Sequence, residues 1–238
     1  MNKLAIVTGA SRGIGKHAAY YFAEQGFDLA LIARNKALLT KVSNELTDKF
    51  AIKTSVFALD VSDYDAVSKC SKHLASRYPT IDVLFNNAGC WSLGGSAIEP
   101  DEFNAMIDVN LRGIYNMVHT LVPYMKKQQS GYIFNMASYA GKRPVARSGA
   151  YCMTKYGVVG YSQSLSLELC QDNIRVTAIC PSVIDTDMTK TMPDFPDEEK
   201  ILCQDIIETI HYLLQLSPKV YIDEVILKSS FLLKGLKE

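Results

Sequence analysis

The stretch LAIVTGASRGIG, residues 4–15, decides the architecture. Its first five residues, Leu4–Thr8, are apolar almost throughout, as in a strand covered on both faces. Gly9, Gly13 and Gly15 then fall at the spacing G-x-x-x-G-x-G, with Ser11, Arg12 and Ile14 among them. Over residues 13–25 the apolar spacing becomes helical, with Ile14, Ala18, Tyr21 and Phe22 on one face. A strand that turns through glycines into a helix start offers free backbone N–H groups to an anion. The glycines also let the backbone approach a pyrophosphate closely. The segment reads as a dinucleotide-phosphate cradle, although its spacing is not the commoner G-x-G-x-x-G.

Outward from this unit the same alternation continues. Further strands are predicted at Asp28–Ala33, 54–59, Val83–Asn86, 132–136, 175–179 and 220–227. Helical spacing covers 35–50, where Leu38, Leu39, Val42 and Leu46 recur, and 149–170, where Tyr156, Val159, Leu165 and Leu169 do. Strand–helix alternation implies right-handed β-α-β crossovers. The expected fold is therefore α/β, a Rossmann-type doubly wound sheet of about seven mostly parallel strands with helices on both faces. No repeat or linker divides it, so one domain spanning 1–238 is expected. Residues 187–201 break the rhythm with two prolines and several acids. They suit either a solvated connection or a flap over a site at the carboxyl ends of the strands.

Composition removes several function classes. The chain has 238 residues, with 25 Lys+Arg against 25 Asp+Glu, so it lacks the cationic surplus that bulk nucleic-acid binding needs. Hydrophobic residues at 48% and charged residues at 21% exclude a disordered chain. The six cysteines form no C-x-x-C pair and suit buried, reduced thiols. No run approaches the ~20 apolar residues of a membrane span, and the apolar run at the start is too short for a signal peptide. A cytoplasmic protein with no membrane partner is expected. His17, His73, His119 and His211 lie apart from the motifs, and no carboxylate spacing demands a metal.

The motifs, taken in order, resemble the short-chain dehydrogenase/reductase family in its compact form. TGASRGIG is followed by Asp60-Val61 after the third strand and by Asn86-Asn87-Ala88-Gly89 after the fourth. Asn110 lies in the next helix, Ser138 closes the fifth strand, and Tyr151 to Lys155 spells Y-x-x-x-K. Pro181-Ser182-Val183-Ile184-Asp185-Thr186 follows the sixth strand. The resemblance implies oxidoreduction between a carbonyl and a secondary alcohol, with Asn110, Ser138, Tyr151 and Lys155 catalytic. It implies dinucleotide contacts from Gly9, Ser11, Arg12, Gly13, Ile14 and Gly15 in the first loop. Further contacts would come from Asp60, Val61, Asn87, Ala88, Gly89, Tyr151, Lys155, Pro181, Ile184 and Thr186. It also implies a homodimer or homotetramer through helices around 104–126 and 149–170.

Tyr151 and Lys155 are i, i+4 and share a helix face. A tyrosine with a reference pKa near 10 is a poor catalyst at neutral pH. An ammonium ~4 Å away at an effective dielectric of ~20 favours the phenolate by up to ~4 kcal/mol, and desolvation opposes this. Tyr151 is therefore expected as general acid/base, its pKa lowered by Lys155, with Ser138 bonding the same substrate oxygen. The end of strand two, Ala33-Arg34-Asn35, lacks the carboxylate that would repel a 2′-phosphate. Arg34 with Arg12 suits a clamp on that phosphate, so NADP(H) is expected over NAD(H). A rival reading is a sensor or scaffold that binds NADP(H) without turnover.

Two departures from the family pattern stand out. Ser182 replaces the usual glycine, which implies either a turn in an ordinary backbone region or an altered path beside the nicotinamide. The C-terminal segment lacks the V-D-G-G of reductases acting on carrier-bound acyl chains, so 3-oxoacyl-thioester reduction is one specificity among several. Substrate selection would fall to residues 90–94, 139–148 and 183–196. There Lys142, Arg143 and Arg147 suit either an anionic substrate or a solvated basic loop. Trp91 and Tyr139 suit either a pocket wall or ordinary packing.

Overall fold

The computed structural model describes residues 2–190, 192 and 195–235. Seven strands, β1 (Leu4–Thr8), β2 (Asp28–Ala33), β3 (Thr54–Ala58), β4 (Val83–Asn86), β5 (Gly131–Met136), β6 (Ile174–Pro181) and β7 (Glu224–Leu227), form one sheet. Their order is β3-β2-β1-β4-β5-β6-β7, and every neighbouring pair is parallel. The last strand is shorter than the predicted 220–227: pairing with β6 begins at Glu224, and Val220 N–H donates to the Ser217 carbonyl in a turn ahead of it.

Strand alternation sorts the core into two layers. Ala5, Val7, Leu29, Leu31 and Phe85 point to one face, which is covered by α1 (Gly13–Glu24), α2 (Lys36–Lys49) and α7 (Cys203–Gln215). Leu4, Ile6, Ala30, Ile32 and Leu84 point to the other, under α3 (Tyr64–Arg77), α5 (Gly113–Gln128) and α6 (Gly149–Leu169). Burial on both faces is why the central strands read as continuous apolar runs. Asn35 and Asp63 cap α2 and α3 by accepting the Leu38 and Ala66 amides, which fixes where those helices start. A short helix α4 (Pro100–Ile107) passes into α5 through a π-helical turn, Asp108–Arg112. The C-terminal helix α8 (Ser230–Gly235) follows β7.

Candidate active site

Strand order reverses between β1 and β4, so the crevice of the doubly wound sheet opens beyond their carboxyl ends. Thr8 and Asn87 join the two loops there. The Thr8 hydroxyl accepts the Asn87 and Ala88 amides, both at 2.9 Å, and Asn87 Nδ2 donates to the Thr8 carbonyl at 3.0 Å. Gly9 and Gly13 have φ of +66° and +52°. A Cβ on Gly15 would stand 2.3 Å from the Gly9 carbonyl oxygen, so the loop folds back onto the start of α1 only without a side chain there. No side chain caps α1 and no acid lies in its first turn, which leaves its leading N–H groups for an anion. The residues present fit a dinucleotide pyrophosphate.

A cleft of about 760 Å³ runs along these carboxyl ends. Its lining gathers Gly9, Ser11, Arg12, Gly13 and Ile14 from the first loop, and Arg34, Asp60, Val61, Asn87, Ala88 and Gly89 from the next three. Tyr151, Lys155, Pro181, Ile184 and Thr186 complete the predicted set on its wall. Gly15, Asn110 and Ser138 stand outside the lining. Sequence reasoning missed Leu38, Leu59 and Val109, whose signal is only that of apolar side chains near strand and helix ends. The expectation of buried thiols is corrected at Cys90, which is half-buried and lines the cleft within the segment assigned to substrate selection, and at Cys170, which is exposed.

Arg34 is 75% exposed, and its nearest carboxylate, Asp60, is 3.9 Å away, so its guanidinium is mostly uncommitted. Asp60 spends its other oxygen on the Ser62 amide and hydroxyl. Asp28 sits at the far end of β2, where it accepts from Asn2 and from the Lys53 amide. The carboxyl end of β2 therefore carries Arg34 and no acid, as the sequence implied.

Lys155 is 4% exposed and donates to the Met136 carbonyl at 2.8 Å, while its Nζ lies 5.5 Å from the centre of the Tyr151 ring. Burial pushes the Tyr151 hydroxyl up to about 12, against the downward pull of the Ser138 hydroxyl beside it. Burial also pushes the Lys155 ammonium down to about 8. The expectation that Lys155 depresses the Tyr151 pKa is thus corrected: removing the phenolate from water raises it, and Lys155 is not among the groups that lower it.

Asn110 is fully buried in the π-turn. Its Oδ1 accepts the Cys90 amide and its Nδ2 donates to the Cys90 carbonyl, both at 2.9 Å, and Nδ2 also reaches the Thr154 hydroxyl. Asn110 therefore holds the β4 loop against α6. Among the other loops, Lys142 is engaged by Glu224 at 2.8 Å and is not a free cation beside the site. Neither Trp91 nor Tyr139 lines the cleft. Ser182 has no positive φ; its hydroxyl accepts the Ser229 amide and ties the turn to the C-terminal segment. The described residues hold no group of three or more His, Cys, Asp or Glu suited to a metal.

A short chain dehydrogenase family model matches residues 3–197. This chain belongs to the short-chain dehydrogenase family. It is 41% identical over 196 residues to the 3-oxoacyl-(acyl-carrier-protein) reductase FabG of Chlamydia muridarum, covering 82% of this chain and 79% of that one. It is 32% identical to an uncharacterized oxidoreductase of Staphylococcus epidermidis, covering 95% of this chain and 96% of the relative. Among solved structures, an alcohol dehydrogenase of the archaeon Thermococcus sibiricus, complexed with 5-hydroxy-NADP, has a TM-score of 0.88 at 29% identity, covering 97% and 98% of the two chains. A 3-ketoacyl-(acyl-carrier-protein) reductase of Brucella melitensis, complexed with NADH, has a TM-score of 0.86 at 29% identity, covering 95% and 96%. The chain is accordingly a short-chain oxidoreductase acting between alcohol and carbonyl groups, with a nicotinamide cofactor. No helix among the described residues is long and apolar enough to cross a membrane.

Proposed function

We propose that this short-chain dehydrogenase is an NADP(H)-dependent carbonyl reductase or alcohol dehydrogenase whose general acid/base is Tyr151. The observation that carries this reading is the pairing of half-buried Tyr151 with buried Lys155 on the wall of the same cleft as the glycine loop. When bound, the nicotinamide supplies or accepts the hydride. Tyr151, protonated throughout the neutral range, donates its proton to a substrate carbonyl oxygen, which the nearby Ser138 hydroxyl would also bond. In the alcohol-oxidising direction the phenolate is needed, and a cationic Lys155 favours it. Both ends of the Asn110 side chain are spent on Cys90 and Thr154, so Asn110 acts by holding the loop after β4 in place rather than by touching substrate.

The exposed guanidinium of Arg34 supports NADP(H), and an Arg34→Asp variant should shift kcat/KM toward NADH by about tenfold or more. An unchanged NADPH/NADH ratio would refute the clamp. The similarity to FabG supports a 3-oxoacyl thioester as one substrate class. We also propose a cytoplasmic, single-domain homo-oligomer. The decisive assay follows NADPH oxidation with aldehydes, ketones, 3-oxoacyl thioesters and sugars. Turnover with any class sustains the enzyme reading, whereas binding without turnover across the panel favours the sensor.

A further inference from the structure

The loop between β6 and α7 contains a lysine that is not placed as a loop lysine should be. The Lys200 side chain is 1% exposed, although long charged side chains normally extend to water. Its ammonium donates to the Thr189 carbonyl at 2.9 Å and pairs with Asp197, whose own side chain is 84% exposed. A buried charge is tolerated only when its donors are used, and here one of them is spent on main chain eleven residues back.

Thr189 is the hub of the cleft-facing half of that loop. Its hydroxyl donates to the Ile184 carbonyl and accepts the Thr186 amide at 3.3 Å, while its own amide donates to the Thr186 carbonyl at 3.0 Å. Ile184, Thr186 and Thr189 all line the cleft, and the Thr186 methyl lies 3.6 Å from where a Cβ on Gly13 would be. The return of the loop is fixed separately, by Ile201 N–H to the Val183 carbonyl and Asp185 N–H to the Ile201 carbonyl. The loop therefore closes without Lys200, and the lysine's distinct contribution is to set Thr189.

We propose that Lys200 is a positioning residue for the wall of the cleft that faces the glycine loop, away from Arg34, holding Thr189 from behind so that Ile184 and Thr186 are preorganised toward the dinucleotide. This rests on the reading of the cleft as a dinucleotide site. Preorganisation of a contact surface lowers the ordering cost of binding, so losing it weakens only the part of the ligand that meets that surface.

The test compares the dissociation constants of NADPH and of 2′-AMP, which carries only the adenosine end, for wild type, Lys200→Met and Lys200→Arg. Lys200→Met should weaken NADPH about tenfold while 2′-AMP stays within about twofold, and Lys200→Arg, which keeps a long donor, should recover most of the loss. Equal weakening of both ligands, or of neither, overturns the proposal, because a merely structural lysine would not separate the two ends. If Lys200→Met does not fold, Lys200→Gln carries the same comparison with the same outcomes. If wild type prefers NADH, NADH and AMP replace the two probes. A wild type that binds neither dinucleotide overturns the underlying site reading before any variant is made.

Discussion

Tyr151 and Lys155 carry the sharpest predictions at the scale of single residues. Tyr151→Phe should lower kcat by at least about a hundredfold while leaving the dinucleotide dissociation constant nearly unchanged, as equilibrium binding and steady-state rates would show. Lys155 has a linkage consequence as well. Its folded pKa of about 8 lies below its ordinary 10.5, so between those values the unfolded chain holds a proton that the folded chain has lost. Its contribution to stability therefore rises as pH climbs through that window, and the cost of burying the ammonium is borne below it. The buried thiols of Cys70, pushed up to about 12, and of Cys180 and Cys203, pushed up to about 11, act in the opposite sense above their ordinary range. They cancel in a comparison of variants. The advantage in unfolding free energy of Lys155→Met over wild type should shrink by about 2 kcal/mol between about pH 8 and 10, measured by denaturant titration. The residue types of the site were legible because spacing alone places Tyr151 over Lys155. The direction of their pKa shifts was not, because it depends on burial by segments far apart in sequence.

At the scale of elements, the first β-α unit behaves as the sequence implied, and its tightest point is Gly15. An alanine there would drive its Cβ to 2.3 Å from the Gly9 carbonyl oxygen, a backbone atom with no room to yield. Gly15→Ala should cost about 2 kcal/mol of stability and abolish measurable dinucleotide binding, both readable in one thermal-shift titration. The π-turn at Asp108–Arg112 left no mark in the sequence. Its apolar periodicity continues into the flanking helices, and only the bonds from Asn110 to Cys90 and Thr154 show what the extra backbone twist delivers. Lys142 is the opposite case: a basic residue soon after Ser138 suited either an anionic substrate or a solvated loop, and β7 claims it through Glu224.

Among the described residues, a helical face of α5 and α6 is left unpaired. Tyr115 on α5 and Met153, Tyr156 and Leu167 on α6 are exposed, and an apolar recess of about 240 Å³ lies between Ile114, Tyr115, Val158 and Tyr161. This is where we expect a second copy to dock. Light scattering should give at least a dimer at micromolar concentration, and Tyr115→Glu should shift it toward monomer, since a charge would lose its water on association. The divergent C-terminus takes its place at this scale too. Ser182 accepts the Ser229 amide, Glu199 accepts from Ser230 and pairs with Lys234, and Phe195 packs edge-on against Phe231 at 4.9 Å. The segment that replaces V-D-G-G thus braces the loop beside the site.

By itself the sequence determined what depends on local spacing: the doubly wound parallel sheet, the glycine cradle, the Tyr151–Lys155 register and the lack of an acid at the carboxyl end of β2. Periodicity and i, i+4 geometry are properties of a few consecutive residues. Tertiary structure alone decided which cations stay free, which way burial moves each titratable group, and that Lys200 and the C-terminal helix converge on one loop. Each of those depends on solvent exclusion and on partners tens to hundreds of residues away, which no local pattern encodes.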